Sequence, residues 1–380
     1  MARLGLWYDE GMSKLIIYLD QNFVSEMAKA KFLGDPVRAS KTAPYGSRYD
    51  NLKNLVENEL AICPESLFHQ LESENAELAT ASQKLVTRLS YGLRLHSPWE
   101  IAAHQALRAA KTFLSLGEEE APPWQDAFLH DPHESVDNRA LTIGSGRAIL
   151  SSPWSMEACT VKPTAYMSDR REMARNKFTW TDLSARKRCQ EEGIIDALFI
   201  HPKDSHCRGA AIALQNYWPQ RNVAPETFSG FLKSKELRGC PFISILSTLC
   251  AALDCQPNRG PKPSDAFDTL ILATVLPYCD VVATSSDLEA LWQQTRLRSK
   301  FKAQVYGAKQ VQLKEFDDWL TTALASAPPA PKSFSLPCPD PFSPMSLPTN
   351  PLTPSAAATA NTRNPSSSRN ADEFNSSTTV

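Results

Sequence analysis

The run Leu15-Ile16-Ile17-Tyr18-Leu19-Asp20 constrains the fold more than any other segment. It is short, apolar without interruption, and closes on an acid. A strand with one wet face alternates apolar and polar residues. An unbroken run is buried on both faces, as the strands of a parallel sheet are. Parallel strands cannot be joined by tight turns; each needs a crossover, usually a helix. The rest of the chain should therefore alternate helices with a few further short strands.

It does. A helix is expected through Phe23, Met27 and Ala30, ended by Leu33-Gly34-Asp35-Pro36. Leu52 to Leu60 reads as helical, and Ala61-Ile62-Cys63-Pro64 as a second short strand. Ser66 suits the N-cap of a long helix carrying His69 and Glu72. Residues 99–116 recur at helical spacing (Ile101, Ala102, Gln105, Ala106, Ala109, Phe113). Phe231, Leu237, Phe242, Ile243, Ile245, Leu246, Leu249 and Leu253 suggest one further buried helix. A helix over Asp265–Leu276 is stopped by Pro277. Val281-Val282-Ala283-Thr284 is the last clear strand, and a helix over 313–324 closes the folded part. The sequence predicts an α/β fold with a central, mainly parallel sheet.

From about Ser326 the chain becomes rich in Pro, Ser, Ala, Thr and Asn. Such a segment buries too little apolar surface to offset its ordering entropy, so a disordered tail over 326–380 is expected. The remainder, 13–325, is long enough for a large core. The net charge of −2 gives no global attraction to nucleic acid, so any such binding needs a local patch. Nine scattered cysteines, an odd count with no Cys-x-x-Cys pair, fit free thiols in a reducing compartment. With no signal-like start and no apolar run near the roughly 18 residues of a membrane span, a cytoplasmic location is expected, with no membrane contact.

In open α/β sheets ligands bind past the carboxyl ends of the strands. Asp20 and the run Thr284-Ser285-Ser286-Asp287 belong there. Asp265 and Asp268, three apart, begin the helix before the last strand. On a helical wheel Asp268 borders the stripe of Phe267, Leu270, Ile271 and Val275, whereas Asp265 points further toward solvent. An acid beside a buried face is costly unless compensated, and a metal ion compensates it. Mg²⁺ takes carboxylates and water. Ions so held can orient water and polarise a phosphate.

Several of these acids have simpler roles. Asp20, Glu65, Asp265 and Asp280 could each serve a turn or a helix N-terminus. Glu72 stands among Glu74 and Glu77, where a solvated face is the commoner arrangement. His69 could touch a phosphate, though a satisfied histidine is the commoner case. His201, His206 and Cys207 lack a fourth zinc ligand at a usual spacing. Residues 162–188 interleave basic and aromatic side chains, a mixture that suits single-stranded nucleic acid or an ordinary solvated face. A second basic run, Arg296, Arg298, Lys300 and Lys302, follows the last strand closely in sequence.

At this point Ile16-Ile17-Tyr18-Leu19-Asp20-Gln21-Asn22, together with Asp268-Thr269-Leu270-Ile271-Leu272-Ala273-Thr274, resembles the PIN-like nuclease superfamily, in particular its large, poorly characterised bacterial members. The resemblance implies a three-layer α/β/α sandwich with a large helical insertion at about 100–250. It implies a Mg²⁺- or Mn²⁺-dependent endoribonuclease acting on RNA, less often DNA. Carried over by position, Asp20, Glu72 and Asp268 are the catalytic and metal-binding acids, with Asp265 and Asp287 as further metal ligands. Asn22, His69, Thr284, Ser285, Ser286, Arg296 and Arg298 are the expected substrate contacts. The chain departs from the pattern at Ser286, where the family places an acid; Asp287 comes one residue later. That departure keeps open a second reading, a catalytically weak module that binds RNA or a protein partner. Haloacid-dehalogenase phosphatases also end a first strand in Asp, but need a second Asp where this chain has Asn22.

Overall fold

A computed structural model describes residues 14–33, 39–71, 76–116, 123–134, 207–256 and 264–326, with the single positions 187, 191 and 195. The chain divides at about residue 330, and every described residue belongs to the first unit. Glu72, the stretch 162–186, His201, His206 and the tail beyond Ser326 lie outside the described residues.

The fold is α/β, built on a four-stranded parallel sheet. The strands are β1 (Leu15–Leu19), β2 (Ala61–Ile62), β3 (Val281–Ala283) and β4 (Gln304–Tyr306). Their order is β2-β1-β3-β4. Register pairs Ile16 with Ile62 on one side of β1 and Tyr18 with Val282 on the other. The chain thus leaves β1 in one direction and later returns to its opposite side, which makes β1 and β3 the switch point of the sheet.

Alternation along the strands sends side chains into two separate cores. Ile16, Tyr18, Ile62 and Val282 enter one; Ile17, Leu19, Ala61, Val281 and Ala283 enter the other. The second core is closed by α1 (Gln21–Ala28), α2 (Ala39–Glu57), the helix Ala76–Ser90 and the terminal helix Gln310–Ala325, which contribute Phe23, Leu52, Leu85 and Phe316. The first is closed by α5 (Pro98–Phe113), counting α3 (Leu67–Leu71) and α4 (Ala76–Ser90) before it, and by later helices. These are α6 (Arg208–Tyr217), α7 (Pro225–Leu232), α8 (Lys235–Arg238), α9 (Pro241–Asp254), α10 (Ser264–Val275) and α11 (Ser286–Gln293). The short α12 (Leu297–Lys300) adds Leu297, and α13 (Gln310–Ala325) completes the described chain.

Local chemistry explains the element ends. Ser97 caps α5 in a full capping box with Glu100, and Pro98 occupies the first turn, where its missing N–H is harmless. Gly307 lets the chain between β4 and α13 pass α11: a Cβ there would stand 3.2 Å from the Cα of Ser286. Among the described residues no single helix is long and apolar enough to cross a membrane. One pair, Glu226–Arg238 with Pro241–Asp254, passes that test together but is bent by 79°. Its second helix fills the core with Phe242, Ile245, Leu246 and Leu249.

Three expectations need correction. The stretch from Phe231 to Leu253 is three helices, because Ser234 caps a new one and Pro241 starts another. The last strand is β4, not β3; its three residues, one exposed and two half-buried, form an edge that carries little apolar signal. On α10, Asp265 is the buried acid at 1% exposure and Asp268 is half-buried, the reverse of the wheel. The wheel assumes one wet face, yet Thr269 to Val275 are buried at every position, so α10 has no such face over most of its length.

Candidate active site

Asp20 follows the last residue of β1 and is 3% exposed. Its backbone N–H donates to Ala283 O at 2.8 Å, so it continues the ladder into the end of β3. Its carboxylate caps α1, accepting from Gln21 N at 2.7 Å. The other oxygen accepts from Thr284 Oγ1 at 3.0 Å, and Ser285 adds a backbone N–H. Burial raises the pKa of Asp20; the Thr284 hydroxyl and the Gln21 N–H act against it in that order.

Beside it lies His69, 5% exposed. Its Nε2 donates to Leu19 O at 2.6 Å and its Nδ1 accepts from Ser66 N at 3.2 Å. A carbonyl can only accept and an amide N–H only donate, so the neutral Nε2–H tautomer is fixed. Burial lowers the pKa of this ring, which agrees with the tautomer. The ring stacks on Tyr18 at 5.4 Å, and the Tyr18 hydroxyl meets Ser66 Oγ at 3.1 Å. His69 thereby ties the start of α3 to the end of β1. Both nitrogens are taken up by backbone groups, so its chief role is positioning rather than contact with a phosphate.

Glu65, at the carboxyl end of β2, is 3% exposed. It accepts from Arg94 Nε at 2.9 Å and Gln83 Nε2 at 3.1 Å. Sequence reasoning set it aside as a helix-start acid. A pointer was present: it follows Cys63-Pro64 directly, where β2 ends.

After Val275 a short turn returns the chain to the sheet, where Asp280 N donates to Ile16 O at 2.8 Å, ahead of β3. The C-terminal end of α10 thus lies nearest the amino edge of the sheet. Asp265 and Asp268 stand in its first two turns, at the other end of a helix that rises roughly 18 Å over twelve residues. Asp20, Thr284 and Ser285 stand on the carboxyl edge at the switch point.

The remaining expected contacts divide. Asn22 is exposed on the first turn of α1. Ser285 caps α11 by accepting from Leu288 N at 3.3 Å, Ser286 opens that helix, and Asp287 is exposed one residue on. Arg296 and Arg298 are not brought to this edge. They precede β4, whose first residue, Gln304, donates its N–H to Asp280 O at 2.8 Å; this is the amino edge. Arg298 donates there to Gln293 Oε1 at 2.8 Å. Nearness in sequence misled because α11 carries the chain back across the sheet.

For a hard cation the chemistry at Asp20 is suitable in kind: a buried carboxylate with His69 close enough to act on it electrostatically. Among the described residues, however, no three His, Cys, Asp or Glu side chains converge on one point. The fold and the site define an α/β protein with a buried acid at the switch point of a parallel sheet. Comparison with family models, with curated proteins and with solved structures finds no match to the chain.

Proposed function

We propose that this chain is a metal-dependent nuclease, and specifically an endoribonuclease with a PIN-like three-layer sandwich. The observation that carries the reading is Asp20: an acid buried at the sheet's switch point, bonded by Thr284 from the neighbouring strand end. Asp20 and Asp268, with Glu72, are the residues that would hold Mg²⁺ or Mn²⁺. The ion, when bound, supplies Lewis acidity and a water of lowered pKa.

The chain's own residues do the rest. Thr284 and Gln21 fix the rotamer of Asp20, so its carboxylate is held in place before substrate arrives. His69 holds the Leu19 carbonyl and with it the turn into Asp20. Ser285 and Ser286 open α11 beside the acid, where the positive end of the helix favours phosphate. The substrate is RNA, bound at the carboxyl edge of the sheet, and the protein works in the cytoplasm.

A second reading is a weak or inactive module that binds RNA or a protein partner. It is favoured by the exposure of Asp287 and by the lack of a three-ligand cluster among the described residues. Purified protein is incubated with end-labelled single-stranded RNA and Mn²⁺ beside Asp20→Asn. Cleavage by the wild type alone supports the nuclease. Equal cleavage by both removes it, and binding without cleavage supports the module.

A further inference from the structure

Away from Asp20, two histidines meet at the start of α5. His96 precedes the Ser97 cap and His104 stands two turns along the helix. Their ring centroids are 5.0 Å apart, nearly perpendicular at 86°. His104 Nδ1 lies 3.2 Å from Asp126 O. A carbonyl only accepts, so Nδ1 carries the proton and Nε2 of neutral His104 keeps its lone pair. His96 Nδ1 lies 3.9 Å from Glu100 Oε2, beyond hydrogen-bond reach. Neither Nε2 is hydrogen-bonded among the described residues.

For His104 this is the arrangement by which proteins prepare imidazole for a metal: one nitrogen tied to a carbonyl, the other left as a ligand. The carbonyl that orients His104 is itself held, since Arg108 Nη2 bonds the Asp126 carboxylate at 2.9 Å. A tetrahedral ion ~2.0–2.1 Å from each of two ring nitrogens sets their centroids roughly 5 Å apart. Imidazole ligands select borderline ions such as Zn²⁺, Ni²⁺ and Cu²⁺ over Mg²⁺.

We propose that His96 and His104 form a two-histidine site for a borderline divalent cation, Zn²⁺ foremost, with water completing the coordination. The site joins the segment Arg94–His96 to α5 and is distinct from the acidic site at Asp20.

The test is calorimetric titration of ZnCl₂ into the full-length, EDTA-treated protein, with wild type, His96→Gln, His104→Gln and Asp20→Asn compared. The expected result is a Zn²⁺ site that persists in Asp20→Asn and is weakened at least about tenfold in either glutamine variant. Both glutamine variants should melt like wild type in EDTA. Should one fail to fold, Zn²⁺ titration of wild type labelled with ¹⁵N in the imidazoles decides by whether the Nε2 signals of His96 and His104 move. The proposal is overturned by no Zn²⁺ binding in wild type, by unchanged binding in both glutamine variants, by unmoved Nε2 signals, or by loss of binding in Asp20→Asn.

Discussion

The hydroxyl of Thr284 donates to the carboxylate of Asp20 at 3.0 Å, across a sequence separation of 264 residues. The bond joins the ends of two adjacent strands and is fully buried. An unpaired carboxylate oxygen here has no water to turn to, so the bond contributes more than an exposed one would. Thr284→Val keeps the shape and removes the hydroxyl. It should lower the unfolding free energy by about 1–3 kcal/mol in denaturant titrations. Thr284→Ser should restore most of it.

Asp20→Asn should separate activity from stability. Asparagine caps a helix about as well as aspartate, so α1 keeps its N-cap. The substitution also removes a charge that burial disfavours. The melting temperature should stay level or rise, while Mn²⁺-dependent RNA cleavage should fall by about 10²-fold or more, the scale of losing one preorganised electrostatic group. A parallel fall in both would mark Asp20 as structural.

Arg94→Ala should strand Glu65, whose carboxylate is buried and bonded by Arg94 at 2.9 Å. Arg94 is itself partly exposed, and Gln83 still donates to the carboxylate, so the loss should be about 1–3 kcal/mol. Equilibrium unfolding should show the loss, and adding Glu65→Gln should recover part of it.

Asp280 sets a pH dependence of known sign. Its Oδ2 accepts from Ile16 N at 2.9 Å, and burial raises its pKa above 3.8 with this bond acting against the shift. The folded chain then holds this proton more tightly than the unfolded chain, so the contribution to stability falls as pH rises from the unfolded value through the folded one. Wild type measured against Asp280→Asn should lose relative stability over that window on going from acid toward neutral pH. A gain over the same range would contradict the partial burial of this carboxylate.

Much of the fold is legible in the amino-acid order because it rests on local patterns. Leu15–Leu19 announces a doubly buried strand, and α5 and α10 announce themselves by spacing. What escaped depends on tertiary surroundings. Gln304-Val305-Tyr306 has too few apolar residues to declare a strand and is paired only because β3 offers an edge. The inversion of Asp265 and Asp268 arises from neighbours that cover α10 all round. Asp20 was legible as an acid at the carboxyl end of a buried strand from its place after an apolar run. The bond from Thr284 and the backbone partners of His69 were not, since each needs two distant segments in register.

The sheet's margins bear on how any partner can be met. Just past β2, bridges join Glu65 to Arg94 and Leu95 to Phe128. The opposite flank is β4, three residues long, with Lys302 just before it and Lys309 just after. So brief and cationic a border is a poor template for an incoming extended peptide. Among the described residues this border disfavours recognition by strand addition.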